Sequence, residues 1–195
     1  MSPTPAVHRA DYADLDQVAH LVGTAFAGLD VVAYMIPDPG RRAPLMSAWA
    51  AIMVEDAFKR GHVDVIPGAG AAPLATAVWF HREEPLPAPD DYDRRLAEAV
   101  GPHRERFQVV DELLEASHPQ EPHHHLLFLA VRPDHQNHGL GTALMDHHHA
   151  TLSGLPAYLE SASTASTRLY LRNGYTERRP IVLPDGARFW PMWRP

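Results

Sequence analysis

Leu126-Leu127-Phe128-Leu129-Ala130-Val131-Arg132-Pro133-Asp134-His135-Gln136-Asn137-His138-Gly139-Leu140-Gly141-Thr142-Ala143-Leu144-Met145-Asp146 is the stretch whose reading decides the fold. Its apolar run, residues 126–131, has the length of a strand and no polar alternation, as expected of a strand buried on both faces. Pro133 ends that strand, because proline has no N–H for a ladder. Gly139 and Gly141 follow, and Leu140, Ala143 and Leu144 begin a helical spacing. The product is strand, tight turn, helix. The first N–H groups of such a helix lack partners, and the helix dipole adds partial positive charge. The stretch is therefore expected to cradle an anion, best a phosphate or pyrophosphate.

Two common phosphate loops do not match. A P-loop needs lysine after its last glycine, and Gly141 is followed by Thr142-Ala143. A dinucleotide fingerprint needs Gly or Ala three residues after the second glycine, and Leu144 stands there. What remains is Gln136-Asn137-His138-Gly139-Leu140-Gly141, a Gln-x-x-Gly-x-Gly pattern.

The rest of the chain frames this motif. At 195 residues, 45% hydrophobic and 21% charged, it predicts one domain over residues 1–195. A net charge of −7 argues against a nucleic-acid partner and is compatible with a cationic acceptor. Cysteine is absent, which removes disulfides, thiolate metal sites and a cysteine nucleophile. With no basic-plus-apolar leader and no run of about 20 apolar residues, a cytoplasmic chain without a membrane partner is expected.

In order, residues 6–10 suggest a short strand. Leu15, Val18, Val22 and Phe26 give a first helix, opened by Asp11 and Asp14. Residues 28–40, with Pro37 and Pro39, read as irregular. Leu45, Trp49, Ile52 and Met53 mark a second amphipathic helix that Gly61 stops. Residues 62–66 and 74–80 read as a hairpin around Gly68-Ala69-Gly70. Residues 82–122 are charged, proline-broken and helical, an insert placed on the acceptor side. After the central motif come a strand at 155–160, a helix ending near Asn173-Gly174, and a hairpin. That hairpin is expected to pair 175–183 with 187–193 around Pro184-Asp185-Gly186.

The last helix contains Arg168-Leu169-Tyr170-Leu171-Arg172-Asn173-Gly174-Tyr175. Together with Gln136–Gly141, in this order and at this separation, it resembles the two signatures of the GCN5-related N-acetyltransferases. The run Pro133-Asp134-His135-Gln136 and the later Leu159-Glu160-Ser161-Ala162 resemble most the puromycin N-acetyltransferase-like members. The resemblance implies an α/β fold: a mixed, mostly antiparallel central sheet flanked by helices, with a parallel pair splayed at its middle. It implies acetyl-CoA as co-substrate and a small-molecule primary amine as acceptor, with direct transfer in a ternary complex and a homodimer left open. The cofactor would be bound by Leu129, Ala130 and Val131, by Gln136, Asn137, His138, Gly139, Leu140, Gly141 and Thr142, and by Ser166 and Tyr170. Ser166 stands where relatives commonly carry asparagine, so its hydroxyl has a shorter reach to the pantetheine arm.

Amide formation from a thioester needs a neutral amine, a polarised carbonyl and a proton for the thiolate. An alkylammonium titrates near pKa ~10.4, so a base is required. Backbone N–H groups of the 126–131 strand are candidates to hold the carbonyl oxygen. Tyr170 is the candidate acid. Glu160, at the C-terminal end of a strand, is the first candidate base, ahead of His125 and then Glu112 and Glu115. His147-His148-His149 lie on a helix, where neighbours point about 100° apart and cannot share one ion. His123 and His125 share a strand without a third ligand in view, so no metal is expected. The alternatives are a non-catalytic acyl-CoA sensor and an acetyltransferase of protein amines.

Overall fold

The computed structural model describes residues 5–70 and 72–195. A short strand β1 (His8–Arg9) leads to helix α1 (Leu15–Phe26), which buries Val18, Leu21 and Val22 on one stripe. Helix α2 (Asp30–Met35) follows, where the prolines had suggested irregular chain. That expectation is corrected: Val31, Val32 and Met35 are buried in an apolar cluster, and this tertiary packing holds a helix too short to stand alone. Helix α3 (Pro39–Arg60) starts on Asp38, whose carboxylate accepts from the Gly40 N–H at 2.9 Å, with proline at its first position.

Strands β2 (Gly61–Pro67) and β3 (Pro73–Arg82) form the first hairpin, and helices α4 (Tyr92–Val100) and α5 (Arg104–Ser117) come between them and the central strand. Then follow β4 (His123–Val131), α6 (Leu140–His149), β5 (Ala157–Ser161) and α7 (Thr164–Arg172). The chain closes with β6 (Thr176–Glu177), β7 (Ile181–Val182) and β8 (Arg188–Arg194). The terminal hairpin is thus broken in two. Arg178-Arg179-Pro180 interrupts it, and proline cannot extend the ladder. The β6 segment pairs with Trp193 and Met192 and the β7 segment with Phe189 and Arg188.

The strand order is β1-β2-β3-β4-β5-β8-β6, with β7 beside β8. Every pairing is antiparallel except β4–β5. This is the mixed, mostly antiparallel sheet with a central parallel pair. The parallel register runs only from His124↔Ala157 to Leu126↔Leu159. Beyond it β4 continues to Val131 and β5 to Ser161 without pairing with each other, so the sheet splays open. On its other edge β4 slips register against β3: Val78 faces Phe128, Trp79 faces Leu126, and Leu127 is the extra residue of a bulge.

Alternation along the strands divides the core. Val63, Val65, Val78, Phe80, Phe128 and Ala130 face α1 and α3. Ile66, Ala75, Ala77, Trp79 and Leu126 face Leu144 and Met145 of α6 and Tyr170 of α7. A third cluster joins α2, α4 and α5 to the β7–β8 ribbon through Met35, Leu96, Phe107, Val110, Ile181 and Phe189. No described helix is long and apolar enough to cross a membrane.

Candidate active site

The anion cradle is built by the turn after β4. Arg132 donates to Asp134 (Nε–Oδ1 3.1 Å) and the His135 ring stands 2.9 Å from the same carboxylate. These donors, Arg132 first, hold the Asp134 carboxyl well below the usual carboxylate range. Asn137 (φ 64°) and Gly139 (φ 80°) both take left-handed backbone, which curls the chain into the first turn of α6. The first intrahelical bond is Ala143 N–H to the Gly139 carbonyl at 2.9 Å. The N–H groups of Leu140, Gly141 and Thr142 therefore have no acceptor within the helix. A Cβ on Gly141 would lie 3.1 Å from Leu169 and 3.6 Å from Leu129, so glycine here lets α6 begin tight against α7 and β4.

From the cradle one cavity of about 560 Å³ runs along the splayed edge of β4 and into the space between α1, α2, α3 and α5. Its near end is lined by Gln136, Asn137, Gly139, Leu140, Gly141 and Thr142, and its middle by Leu127, Leu129, Val131, Ser166 and Tyr170. The far end is apolar and aromatic, with Phe26, Val32, Met35, Trp49 and Phe107. There the Trp49 ring packs at 5.7 Å from Phe107 and edge-on at 5.4 Å from Phe128. Two carboxylates reach this wall, Glu160 and Asp111.

Glu160 sits at the end of β5, its side chain 8% exposed, where the parallel pair parts. Its Oε2 lies 2.9 Å from His125 Nε2, and its Oε1 3.7 Å from His118 Nδ1. Burial alone would raise this carboxyl, but the facing imidazoles of His125 and His118 outweigh it and hold Glu160 below its ordinary value. Behind them His118 Nε2 stands 3.0 Å from His123 Nε2, and His123 Nδ1 is 2.7 Å from the Glu121 carbonyl. Burial lowers both of these imidazoles, His123 to about 4. Tyr170 is 6% exposed and packs edge-on against Tyr175, and burial pushes its phenol above the ordinary value. Asp111 Oδ2 accepts from the Tyr92 hydroxyl at 2.8 Å, and burial pushes its carboxyl up to about 6.

Most of the residues singled out in the sequence come together on this one cavity: Leu129, Val131, Gln136, Asn137, Gly139, Leu140, Gly141, Thr142, Ser166, Tyr170 and Glu160. Two do not line it. Ala130 is buried against the α1–α3 layer, and His138 is exposed on the turn. Ser166 Oγ lies 2.8 Å from Ser161 Oγ and 2.9 Å from Ser163 Oγ, so its hydroxyl is engaged within the start of α7. Glu112 and Glu115 are exposed, with Glu115 paired to Arg82 at 3.4 Å. The carboxylate that α5 contributes is Asp111. It falls between Phe107, Val110 and Leu114 in the i, i+3, i+4, i+7 stripe, a charged residue on an apolar face, and that pattern was visible in the sequence. Trp49 and the α2 residues were not foreseen as site residues.

Residues 104–177 match the model of the acetyltransferase (GNAT) domain. The chain is similar over 99% of its length, and 97% of the other's, to a Corynebacterium glutamicum structure described as histone acetyltransferase HPA2 and related acetyltransferase, at 26% identity and a TM-score of 0.75. An N-acetyltransferase from Staphylococcus aureus aligns at 15% identity and TM-score 0.63, covering 96% of this chain and 99% of that one. Arylalkylamine N-acetyltransferase 2 from Aedes aegypti aligns at 13% identity and TM-score 0.68, covering 98% and 99%. The matched segment and the fold support an acyltransferase: residues 104–177 match the GNAT acetyltransferase domain model, and the whole chain has the fold of the acetyltransferase structures it aligns with.

Proposed function

We propose that this protein transfers the acetyl group of acetyl-CoA to the primary amine of a small molecule with an apolar or aromatic body, by direct attack in a ternary complex. The observation that carries this reading is the single cavity. It joins a cradle of unpaired N–H groups to an aromatic pocket, with the carboxylate of Glu160 at the junction. The free N–H groups of Leu140, Gly141 and Thr142 suit the pyrophosphate of CoA. The pantetheine arm then follows the edge of β4 that β5 has left, and N–H groups of the bulged stretch from Leu127 are available to the thioester oxygen.

Glu160, held ionised by His125 and His118, accepts a proton from the incoming ammonium. The neutral nitrogen attacks the thioester carbon, an N–C bond forms, and the C–S bond breaks as the tetrahedral intermediate collapses. Tyr170 hydrogen-bonds the departing sulfur. Its phenol, raised by burial, is a weaker acid than a thiol near pKa ~8.5, so the thiolate takes its final proton from the acylated nitrogen by way of water in the cleft. Glu160 returns its own proton to solvent, and the products are amide and free CoA.

Residues 1–195 act in this reading as one catalytic domain, and the 82–122 insert shapes the acceptor pocket through Phe107, Val110, Asp111 and Leu114 of α5. The puromycin N-acetyltransferase-like branch remains the finer assignment, supported by the Pro133–Gln136 run and Leu159-Glu160-Ser161. A thiol-release assay with acetyl-CoA over a library of aryl, alkyl, polyamine and aminonucleoside amines tests the proposal. The expected result is turnover of amines with apolar bodies and loss of at least a hundredfold in kcat in Glu160→Gln. Turnover confined to peptide lysines, or CoA binding with no turnover of any amine, overturns it.

A further inference from the structure

On the sheet face away from Glu160, a second group of side chains converges. His62 and Asp64 come from β2, His81 from β3, His124 from β4 and His148 from α6. Strand alternation puts them on the side of Ile66, Ala77, Trp79 and Leu126, the face that α6 covers. None of the five lines the cavity that joins cradle and acceptor pocket.

We propose that this cluster binds one divalent transition-metal ion of the zinc class, with His148, the residue common to both groups of donors, as the central ligand and its other protein ligands drawn from His81, His124, His62 and Asp64. The donor atoms of His81, His124 and His148 lie within 4.8 Å of one another, as do those of His62, Asp64 and His148. His124 Nδ1 is 3.0 Å from His148 Nε2. Two nitrogens on one tetrahedral zinc, each at about 2.0–2.1 Å from it, would stand roughly 3.3 Å apart, so a small adjustment admits the ion. Imidazole with carboxylate is a donor set that suits zinc and its neighbours.

A second observation asks for a cation. Asp64 is fully buried, and among the described residues neither carboxylate oxygen has a hydrogen-bond donor. The His62 Nε2 stands 2.9 Å from Oδ1, outside hydrogen-bond geometry but an ion pair when that imidazole is protonated. His148 Nδ1 is likewise buried and unpartnered. A buried carboxylate without donors is unfavourable unless it is protonated or faces positive charge. The indole of Trp79 stacks on the His148 ring at 4.0 Å and 6°, which fixes its orientation as the surroundings of metal-bound imidazoles do. His81 is exposed and His62 half-buried, giving an ion a way in. The ion would tie the C-terminal turn of α6, whose first turn is the cradle, to three strands.

The test is cobalt(II) titration of tagless full-length protein freed of metal by chelation, read by visible absorption, elemental analysis and thermal unfolding. One ion per chain, intense bands of a tetrahedral site and a raised Tm are expected. His148→Gln should abolish the bands, and His81→Gln, at an exposed position that folding tolerates, should weaken binding at least tenfold. His20→Gln on α1 and His118→Gln beside Glu160 should leave the bands intact. Absence of stoichiometric binding overturns the proposal. So does binding that survives both His148→Gln and His81→Gln, or that is lost in His118→Gln.

Discussion

Tyr170 and Asp111 show at the scale of one residue how burial decides what a side chain can do. Tyr170 stays protonated because its surroundings exclude the phenolate. Its value to the proposed reaction would be a hydrogen bond to sulfur that strengthens as the thiolate forms, an interaction confined to the transition state. Tyr170→Phe keeps the ring in its contact with Tyr175 and removes only the hydroxyl. We expect kcat to fall by roughly a hundredfold while the Kd of CoA, measured by calorimetry, stays within a factor of two. Wild-type turnover in a folded variant would leave Tyr170 a core residue. Asp111 is the opposite case, an acid raised to about 6 by burial beside Glu112. Its folded-state value lies above the unfolded one, so the native state binds the extra proton. Its contribution is therefore favourable below about pH 4 and is lost as pH rises through about 6. Asp111→Asn retains an acceptor for the Tyr92 hydroxyl. The variant should be more stable than the parent at pH 8, by up to about 3 kcal/mol, with no difference at pH 4 in denaturant titrations. A variant less stable at both values would mean that the carboxylate is held by a charge partner.

At the scale of elements, α6 carries the proposed cofactor site at its first turn and depends on glycine for two reasons. Gly139 takes a left-handed φ of 80° in open space, and a Cβ on Gly141 would stand 3.1 Å from Leu169. Gly141→Val would wedge α6 away from α7 and move the Leu140, Gly141 and Thr142 N–H groups. CoA should bind at least tenfold more weakly, about 1.4 kcal/mol, and unchanged CoA affinity in a folded variant would place the pyrophosphate elsewhere. This strand–turn–helix unit was legible in the sequence because its signals are local: an apolar run, a proline, two glycines, a helical spacing. Other parts were not local. The α2 helix between Phe26 and Pro37 is held by contacts with α3 and α5, which its six residues do not advertise. The bulge at Leu127 and the end of the parallel register at Leu126 depend on two neighbouring strands, and the run 126–131 looks uniform without them. The triplet His147-His148-His149 behaves as helix geometry requires, since His148 turns to His124 while His149 reaches the Tyr175 hydroxyl at 3.0 Å. The partners of His148 are spread over β2, β3 and β4, at spacings that no short motif encodes.

For the whole molecule, the decisive property is that the cradle and the acceptor pocket are two ends of one cavity of about 560 Å³. In the proposed reaction both substrates occupy it at once, with the thioester carbon at the junction between the free edge of β4 and Glu160. The chain contains no cysteine, so no thiol is present to carry the acetyl group between two half-reactions. Residues of the two helical layers and of the α2–α4–α5 cluster line this cavity together. The proposed direct transfer requires a ternary complex. Initial rates measured at several fixed concentrations of acetyl-CoA against a turned-over amine should give intersecting double-reciprocal lines. No burst of CoA should appear in the absence of amine. Parallel lines, or release of one equivalent of CoA without an acceptor, would mean that a side chain in the cleft is acetylated first. Glu160 could then not act as the base for a direct attack, because the amine would meet an acyl-enzyme in place of the thioester.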